Sequence, residues 1–281
     1  RDPRHSARGM TGPAPAPAAT PRWQLASAGR WRVASRVWEP PTARGGRPVV
    51  LVHGLVVSGD YHVPLAERLA TRRSVHAPDL PGFGRSADPP LERALPTRDL
   101  ARALIDWCDA GGLSDVALVA NSFGCQIATE AVLRRPDLAG ALVLLAPTMD
   151  PRARRYGEQL RRWRMEMKTQ SGALQRLMVR DYLRAGIPRA LVTFRHAMHD
   201  RIEQRLPHLD LPALVVRGTN DPIVEDQWAA EVADLLPRGE LRRLPGATHA
   251  VNHEQPLQTA RVVAAFLDEV DATDPGRRAA A

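Results

Sequence analysis

The chain has 281 residues, of which 44% are hydrophobic and 25% charged. These fractions are ordinary for a globular protein and exclude a fibrous or wholly disordered chain. No apolar stretch reaches the roughly 18 residues that a bilayer span needs, so we expect no integral membrane contact. The two cysteines, Cys108 and Cys125, are too few for a disulfide framework, and we predict that both are buried in helices.

The net charge of +8 is unevenly distributed. Residues 148–208 hold 14 basic and 6 acidic residues, whereas the two signs balance in the rest of the chain. This segment either attracts an anionic substrate or an acidic partner, or forms a solvated arginine-rich surface. All basic residues except Lys168 are arginine, as is typical of a GC-rich genome. The high isoelectric point is therefore weak evidence for nucleic-acid binding, and without a recognised motif we expect no nucleic-acid partner.

The two ends of the chain are predicted to be tails. Residues 12–20 are too rich in proline for the apolar core of a signal peptide, and proline favours an extended backbone. We therefore predict a disordered tail over residues 1–21 and a flexible tail over residues 273–281. Because no export signal is found, a cytoplasmic location is expected.

Between the tails, short apolar runs alternate with helical periods. Most of the runs are continuously apolar, so both faces of those strands must be covered, as in a parallel sheet with helices on each side. The run 74–78 is weaker, and 240–244, which contains two arginines, is the candidate last strand. Residues 22–38 are predicted to form an antiparallel pair at one edge. The predicted strands are 48–53, 74–78, 115–120, 141–146, 213–217 and 240–244. The predicted helices are 62–71, 97–110, 123–134, 226–236 and 256–270.

The fourth and fifth strands of that series are separated by about 65 residues without a strand-like run. Apolar residues there recur at helical steps of four, three and four, at Tyr156, Leu160, Trp163 and Met167. Two interpretations stay open: a small helical bundle in which methionines fill gaps, or a helical lid over a pocket on the sheet. The predicted bounds are 22–146 and 209–272 for an α/β core, and 147–208 for the helical segment.

The sequence Ala120-Asn121-Ser122-Phe123-Gly124 joins a predicted strand to a predicted helix. A serine on such a tight turn has its hydroxyl held above the sheet, and small residues two positions away let strand and helix approach closely. The pattern is that of a nucleophile elbow, with Ala120 in place of the first glycine. A serine helix cap is the common alternative, but the position after a buried strand favours a nucleophile.

The loop after the first apolar strand reads His53-Gly54-Leu55. Attack by Ser122 on a carbonyl creates an oxyanion, which two backbone N–H groups can stabilise. We predict that these are the N–H groups of Leu55 and Phe123, with Gly54 letting the backbone come close. For His53 we favour a structural role in shaping the turn over a catalytic role.

Two further loops supply the partners that a nucleophilic serine needs, a base and a carboxylate that orients it. Asp221 follows strand 213–217, and His249 follows strand 240–244. Because carboxyl ends of parallel strands lie at one edge of a sheet, both are expected near Ser122. Asp150 is the competing carboxylate, and His253 is interpreted as a spare histidine.

Taken together, these motifs resemble the α/β-hydrolase superfamily over roughly residues 30–270. The resemblance rests on His53-Gly54, the loop 79–86, the elbow at Ser122, Gly218-x-x-Asp221 and His249. It implies an α/β-hydrolase sheet with an inserted helical cap that shapes the pocket, and it implies that the loop 79–86 is structural. It also implies a triad in which Ser122 attacks, His249 acts as base and Asp221 orients it, with no metal or organic cofactor.

The expected activity is cleavage of an ester-like bond through an acyl-enzyme. Epoxide hydrolases and dehalogenases of this fold carry aspartate at the elbow, so Ser122 argues against both. Hydrolysis of carbon–carbon bonds, thioesters or lactones stays open, as does a ligand-binding protein with little turnover. The expected partner is a small molecule with an apolar part, the oligomeric state stays open, and the candidate pocket residues are Met149, Trp163, Met167 and Val251.

Overall fold

The computed structural model describes residues 20–40, 46–87, 89 and 94–274. Within these ranges eight strands form one sheet in the order β1-β2-β4-β3-β5-β6-β7-β8. β2 runs antiparallel to β1 and β4, and the other neighbours are parallel. The strands are β1 (Arg22–Ala28), β2 (Trp31–Trp38), β3 (Val49–Val52), β4 (Val75–Pro78), β5 (Val116–Asn121), β6 (Ala139–Leu145), β7 (Ala213–Gly218) and β8 (Gly239–Leu244).

Helices cover both faces of this sheet. Successive residues of the central strands point to opposite faces, so Leu118 of β5 joins one buried apolar cluster and Val119 joins the other. The first cluster includes side chains of α2, α3 and α8, and the second those of α1 and α10. The helices are α1 (Val63–Leu69), α2 (Thr97–Ala110), α3 (Phe123–Arg134), α4 (Tyr156–Met167), α5 (Gly172–Ala185), α6 (Ile187–His199), α7 (Ile202–Arg205), α8 (Asp226–Leu235), α9 (Val251–Glu254) and α10 (Pro256–Thr273).

The predicted mostly parallel sheet with an antiparallel edge pair is confirmed, and the differences lie at the ends of elements. Helix α10 runs to Thr273, whose hydroxyl donates to the carbonyls of Glu269 and Val270. The predicted C-terminal tail was therefore wrong at Thr273, and the rest of it from residue 275 lies outside the described residues, as does the predicted N-terminal tail up to residue 19. Cys108 and Cys125 are free and buried in α2 and α3, as predicted.

The segment between β6 and β7, residues 147–208, is called the helical insertion here, and it contains α4 to α7. Its first helix does not bury the predicted apolar stripe, since Tyr156 is 52% and Leu160 is 46% exposed. The buried residues of α4 are polar, namely Gln159, Arg162 and Glu166. Helix α4 therefore meets the rest of the protein through hydrogen bonds rather than through an apolar face.

No helix within the described residues combines the length and apolarity that crossing a membrane requires.

The start of α3 lies against the end of β3, and Gly124 makes that contact possible. A Cβ atom at Gly124 would stand 2.5 Å from the carbonyl oxygen of Val52 and 2.7 Å from that of His53. Both distances are well inside ordinary van der Waals contact, so any side chain would push α3 away from the sheet. Gly124 is thus the small residue that the elbow pattern requires after Ser122.

We expect Gly124→Ala to lower the free energy of unfolding by about 1–3 kcal/mol, since the added methyl group overpacks a rigid backbone contact. Gly157→Ala in α4 is the matched control, because nothing lies within 4 Å of a Cβ atom there. Removing a glycine from a helix should leave stability unchanged or raise it by up to about 1 kcal/mol. Urea denaturation followed by circular dichroism measures both, and equal stability of the two variants would contradict the close contact.

Candidate active site

Ser122 lies on the turn between β5 and α3 in a backbone conformation that L residues rarely adopt, with φ +55° and ψ −121°. Its N–H donates to the carbonyl of Leu145 over 2.9 Å, and its carbonyl accepts from the N–H of Cys125 over 3.0 Å. Such a conformation costs about 1–3 kcal/mol and persists only where the surroundings fix it. Here β6 and the first turn of α3 hold the serine at the end of the sheet.

Asp221 and His249 are brought together at the same edge. The Nδ1 atom of His249 lies 2.9 Å from Oδ2 of Asp221, and both side chains are buried. The other carboxylate oxygen of Asp221 accepts from the N–H groups of Ile223 and Val224, over 2.7 and 3.0 Å. The carboxylate is therefore fixed from behind and can orient the imidazole ring.

Ser122 and His249 line one cavity of about 310 Å³. In the described part of the chain, no hydrogen bond joins the hydroxyl of Ser122 to the ring of His249. Hydrogen bonds of this kind are often long without substrate and shorten when it binds. The structure therefore places the hydroxyl of Ser122 and the imidazole of His249 at one cavity, with the carboxylate of Asp221 bonded to the imidazole.

The pKa of His249 is set by opposing effects. Burial is the largest and lowers it, but the negative charge of Asp221, its hydrogen bond and the charge of Glu166 together outweigh burial. The pKa of His249 is therefore raised above its ordinary value. A histidine with a raised pKa is a stronger base, and its protonated form is stabilised where it stands.

The predicted oxyanion donors, the N–H groups of Leu55 and Phe123, belong to residues that line the cavity beside Ser122. Among the described residues neither N–H has a hydrogen-bond acceptor. Phe123 is the first residue of α3, where the geometry of the helix leaves N–H groups unpaired. Neither N–H is therefore used by the described part of the fold.

His53 is buried and structural, as predicted. The N–H of Leu80 donates to its Nε2 atom over 3.0 Å, so the proton lies on Nδ1, which donates to the carbonyl of Gly54 over 3.0 Å. Burial lowers the pKa of His53 to about 4, so the ring is neutral. The peptide between Gly54 and Leu55 is trans, and anchoring its carbonyl to His53 turns the N–H of Leu55 the opposite way.

The cavity contains two of the four predicted pocket residues. Met149 and Trp163 line it. The prediction was wrong for Val251, which lies in the apolar cluster between the sheet and α10 because α9 turns its first residue toward the sheet. Met167 ends α4, is half-buried and does not line the cavity.

Asp150, the competing carboxylate, and His253, the spare histidine, have partners of their own away from Ser122. The carboxylate of Asp150 accepts from the backbone N–H and the guanidinium of Arg152, over 2.9 and 3.0 Å. His253 stacks on Tyr61 and pairs with Glu254. Neither therefore competes with Asp221 or His249 for a place beside Ser122.

Glu166 of α4 is a part of the site that the sequence analysis did not identify. It is 1% exposed, lines the cavity, and accepts from the backbone N–H of His249 over 3.3 Å. Burial raises the pKa of Glu166. No sequence signal marks it, since a glutamate between the methionines of an arginine-rich helix is typical of a solvated surface.

In the part of the chain that the structure describes, no three His, Cys, Asp or Glu side chains converge on a position that could hold a metal ion.

We expect Glu166→Gln to lower the pKa of His249, because the substitution removes one of the negative charges that raise it. Glu254→Gln is the control, since Glu254 pairs with His253 and does not act on His249. Titration of the histidine ring signals by NMR measures both variants. A pKa of His249 that stays the same or rises in Glu166→Gln contradicts the assigned role of the Glu166 charge.

Known proteins resemble the chain in sequence and in fold. A model of the alpha/beta hydrolase family matches residues 49–262. The pimeloyl-[acyl-carrier protein] methyl ester esterase of Chromobacterium violaceum is 32% identical over 242 residues, which are 75% of this chain and 91% of that protein. Polyketide synthase ThaQ of Burkholderia thailandensis is 34% identical over 256 residues, which are 80% of this chain and 12% of the synthase.

The fold recurs in solved structures at lower identity. A membrane phospholipase A, described as a bacterial virulence factor, superposes with a TM-score of 0.77 at 22% identity, covering 89% of this chain and 86% of that one. At this identity the likeness concerns the fold alone. The family model and the esterase relative cover most of the residues that build the sheet and the cavity, and the chain belongs to the alpha/beta hydrolase family.

Proposed function

We propose that the chain is a serine hydrolase that cleaves an ester-like bond through an acyl-enzyme on Ser122. The observation that carries the proposal is the 2.9 Å contact between Nδ1 of His249 and Asp221, formed at the wall of the cavity that Ser122 also lines. That contact leaves Nε2 of His249 free to exchange a proton in the cavity. The esterase relative of the preceding section supports an ester as the substrate.

The reaction follows from these positions. His249 accepts the proton of Ser122 while the serine oxygen attacks the substrate carbonyl, and the N–H groups of Leu55 and Phe123 stabilise the oxyanion. Protonated His249 then donates its proton to the leaving alcohol, which departs. A water molecule enters, loses a proton to His249, attacks the acyl-enzyme and releases the acid. Asp221 orients the ring and stabilises its positive charge in both halves.

The cavity favours an apolar acyl group without a negative charge. Its described lining is mainly apolar and contains no arginine or lysine, and the only carboxylate among the lining residues is that of Glu166. An anionic group beside Glu166 would meet a like charge in a poorly solvated site. We propose that the helical insertion acts as the cap of this cavity, since Leu160, Trp163 and Phe194 all belong to its lining.

We expect Ser122→Ala to reduce kcat on a short p-nitrophenyl ester by several powers of ten, because the nucleophile is lost. The exposed Ser27 of β1 gives the control variant Ser27→Ala, which should keep full activity. A fluorophosphonate probe should label the wild type and Ser27→Ala but not Ser122→Ala. Ester turnover that survives in Ser122→Ala refutes the nucleophile, and an unlabelled, inactive wild type indicates a ligand-binding protein.

We expect His53→Phe to lower kcat by about tenfold or more with little change in KM. The variant keeps a ring against Phe83 but releases the carbonyl of Gly54, so the N–H of Leu55 is no longer held toward the oxyanion. His76→Phe is the control. His76 lies on β4, packs against Trp107 of α2 and does not line the cavity. Steady-state kinetics on the same ester tests this, and equal kcat values for the two variants would argue against the oxyanion role of Leu55.

A further inference from the structure

The outer surface from Gln159 in α4 to the end of α6 carries excess basic charge, and the acid just before it, Glu158, pairs with Arg161 and Arg162. Residues 159–199 contain nine arginines and lysines and two acidic residues, Glu166 and Asp181. These two are 1% and 2% exposed and point into the protein, where Asp181 accepts hydrogen bonds from Ser58. The charged groups on the solvent-facing side of residues 159–199 are therefore all cations.

Several of these cations are free to meet a partner. They are exposed, and among the described residues none of them forms an ion pair. This set is Arg164, Lys168, Arg176, Arg184 and Arg195. By contrast, the neighbouring Arg161 and Arg162 pair with Glu158, and Arg180 pairs with Asp60. Five unpaired cations on three adjacent helices create a positive potential that a nearby anionic surface would neutralise.

Large apolar side chains stand among the free cations. Val179 and Leu183 lie four residues apart on α5, and Ile187 and Leu191 lie four residues apart on α6, so each pair shares one face of its helix. Their exposed fractions are 57%, 75%, 70% and 64%. Of the 13 large apolar residues that the structure describes as exposed, 9 lie between Tyr156 and Val192. A concentration of this kind marks a surface that is covered when the protein functions.

This apolar surface continues into the cavity. Leu160, Trp163 and Leu191 are each exposed to solvent, and each also lines the cavity that contains Ser122. An apolar chain can therefore pass from the outside of α6 to the cavity along apolar side chains. The exposed surface and the entrance of the site are one continuous feature.

We propose that this surface binds an anionic lipid surface, a membrane or a micelle, from which an acyl chain enters the cavity. We call it the lipid-facing surface, defined by Arg164, Lys168, Arg176, Val179, Leu183, Arg184, Ile187, Leu191 and Arg195. Aliphatic side chains enter the boundary between headgroups and acyl chains while flanking arginines and lysines meet the anionic headgroups. A second copy of this chain fits less well, since two such surfaces would bring cations together.

Binding to lipid goes beyond the proposed function and does not depend on it. Only the entry of an acyl chain toward Ser122 rests on the proposed hydrolysis. The proposal of lipid binding and the proposal of ester hydrolysis can therefore fail separately. Binding is measured without substrate, and hydrolysis is measured on a water-soluble ester without lipid.

The test is co-sedimentation of the full chain with phosphatidylcholine vesicles, with and without phosphatidylglycerol. The wild type should bind the vesicles that contain phosphatidylglycerol, and salt should weaken binding. Arg184→Gln combined with Arg195→Gln should reduce the partition coefficient roughly 25-fold, since each cation contributes about fivefold. The matched control is Arg238→Gln with Arg261→Gln, two exposed arginines outside the helical insertion.

The apolar contribution is tested without a change in charge. Leu183→Gln combined with Ile187→Gln should weaken vesicle binding by at least about tenfold. Leu133→Gln with Leu257→Gln, exposed leucines on α3 and α10, should have no effect. Hydrolysis of the water-soluble ester should be unchanged in all four variants, since none of these residues lines the cavity.

Three results would overturn the proposal. One is binding that is equal with and without phosphatidylglycerol. Another is a loss of vesicle binding that is equal in the test variants and in their matched controls. The third is a wild type that ignores both kinds of vesicle but dimerises, or binds an acidic protein, through the same side chains. Vesicle binding by a wild type that hydrolyses no ester would support this surface and contradict the proposed function.

Discussion

The backbone at Ser122 is the constraint on which the rest of the site depends. A residue other than glycine is held at φ +55° between a buried strand and a buried helix, and no local hydrogen bond alone could keep it there. The close contact of Gly124 with the end of β3 fixes where α3 begins. Leu55 follows β3 and lines the same cavity as Ser122 and Phe123, so the packing of α3 on β3 bears on the position of the hydroxyl and of both N–H groups.

The helical insertion is attached to the core by buried polar side chains. Glu166 accepts from the backbone of His249, Arg162 donates to the carbonyl of Ile223, and Arg189 donates to the carbonyl of Gly82. A buried polar group without a partner is costly, so each of these bonds allows only a few positions for its helix. Because polar residues occupy the inward side of α4, its apolar residues lie at the cavity mouth and toward solvent.

The orientation of α4, with its polar residues inward and its apolar residues outward, explains why only part of the site could be predicted from the sequence. Ser122, Asp221 and His249 follow three strands of the sheet, and the rule that parallel strands end at one edge predicts their meeting without any knowledge of side-chain packing. No comparable rule fixes which face of α4 points into the protein. Periodicity identifies a helical face but not whether that face meets a core or an open cavity. Glu166 and the true position of Val251 depend on that choice and therefore required the structure.

The distribution of charge joins the site to the outer surface of the insertion. Glu166 and Asp181 are buried, and Glu166 raises the pKa of His249, while Arg164, Lys168, Arg176, Arg184 and Arg195 face solvent. In the proposed reaction the product is an acid that ionises in the cavity that Glu166 lines. Like charges in a poorly solvated cavity repel, so the field that stabilises protonated His249 also disfavours retention of the product. A neutral ester does not experience this repulsion, and the same field therefore distinguishes the substrate from its product.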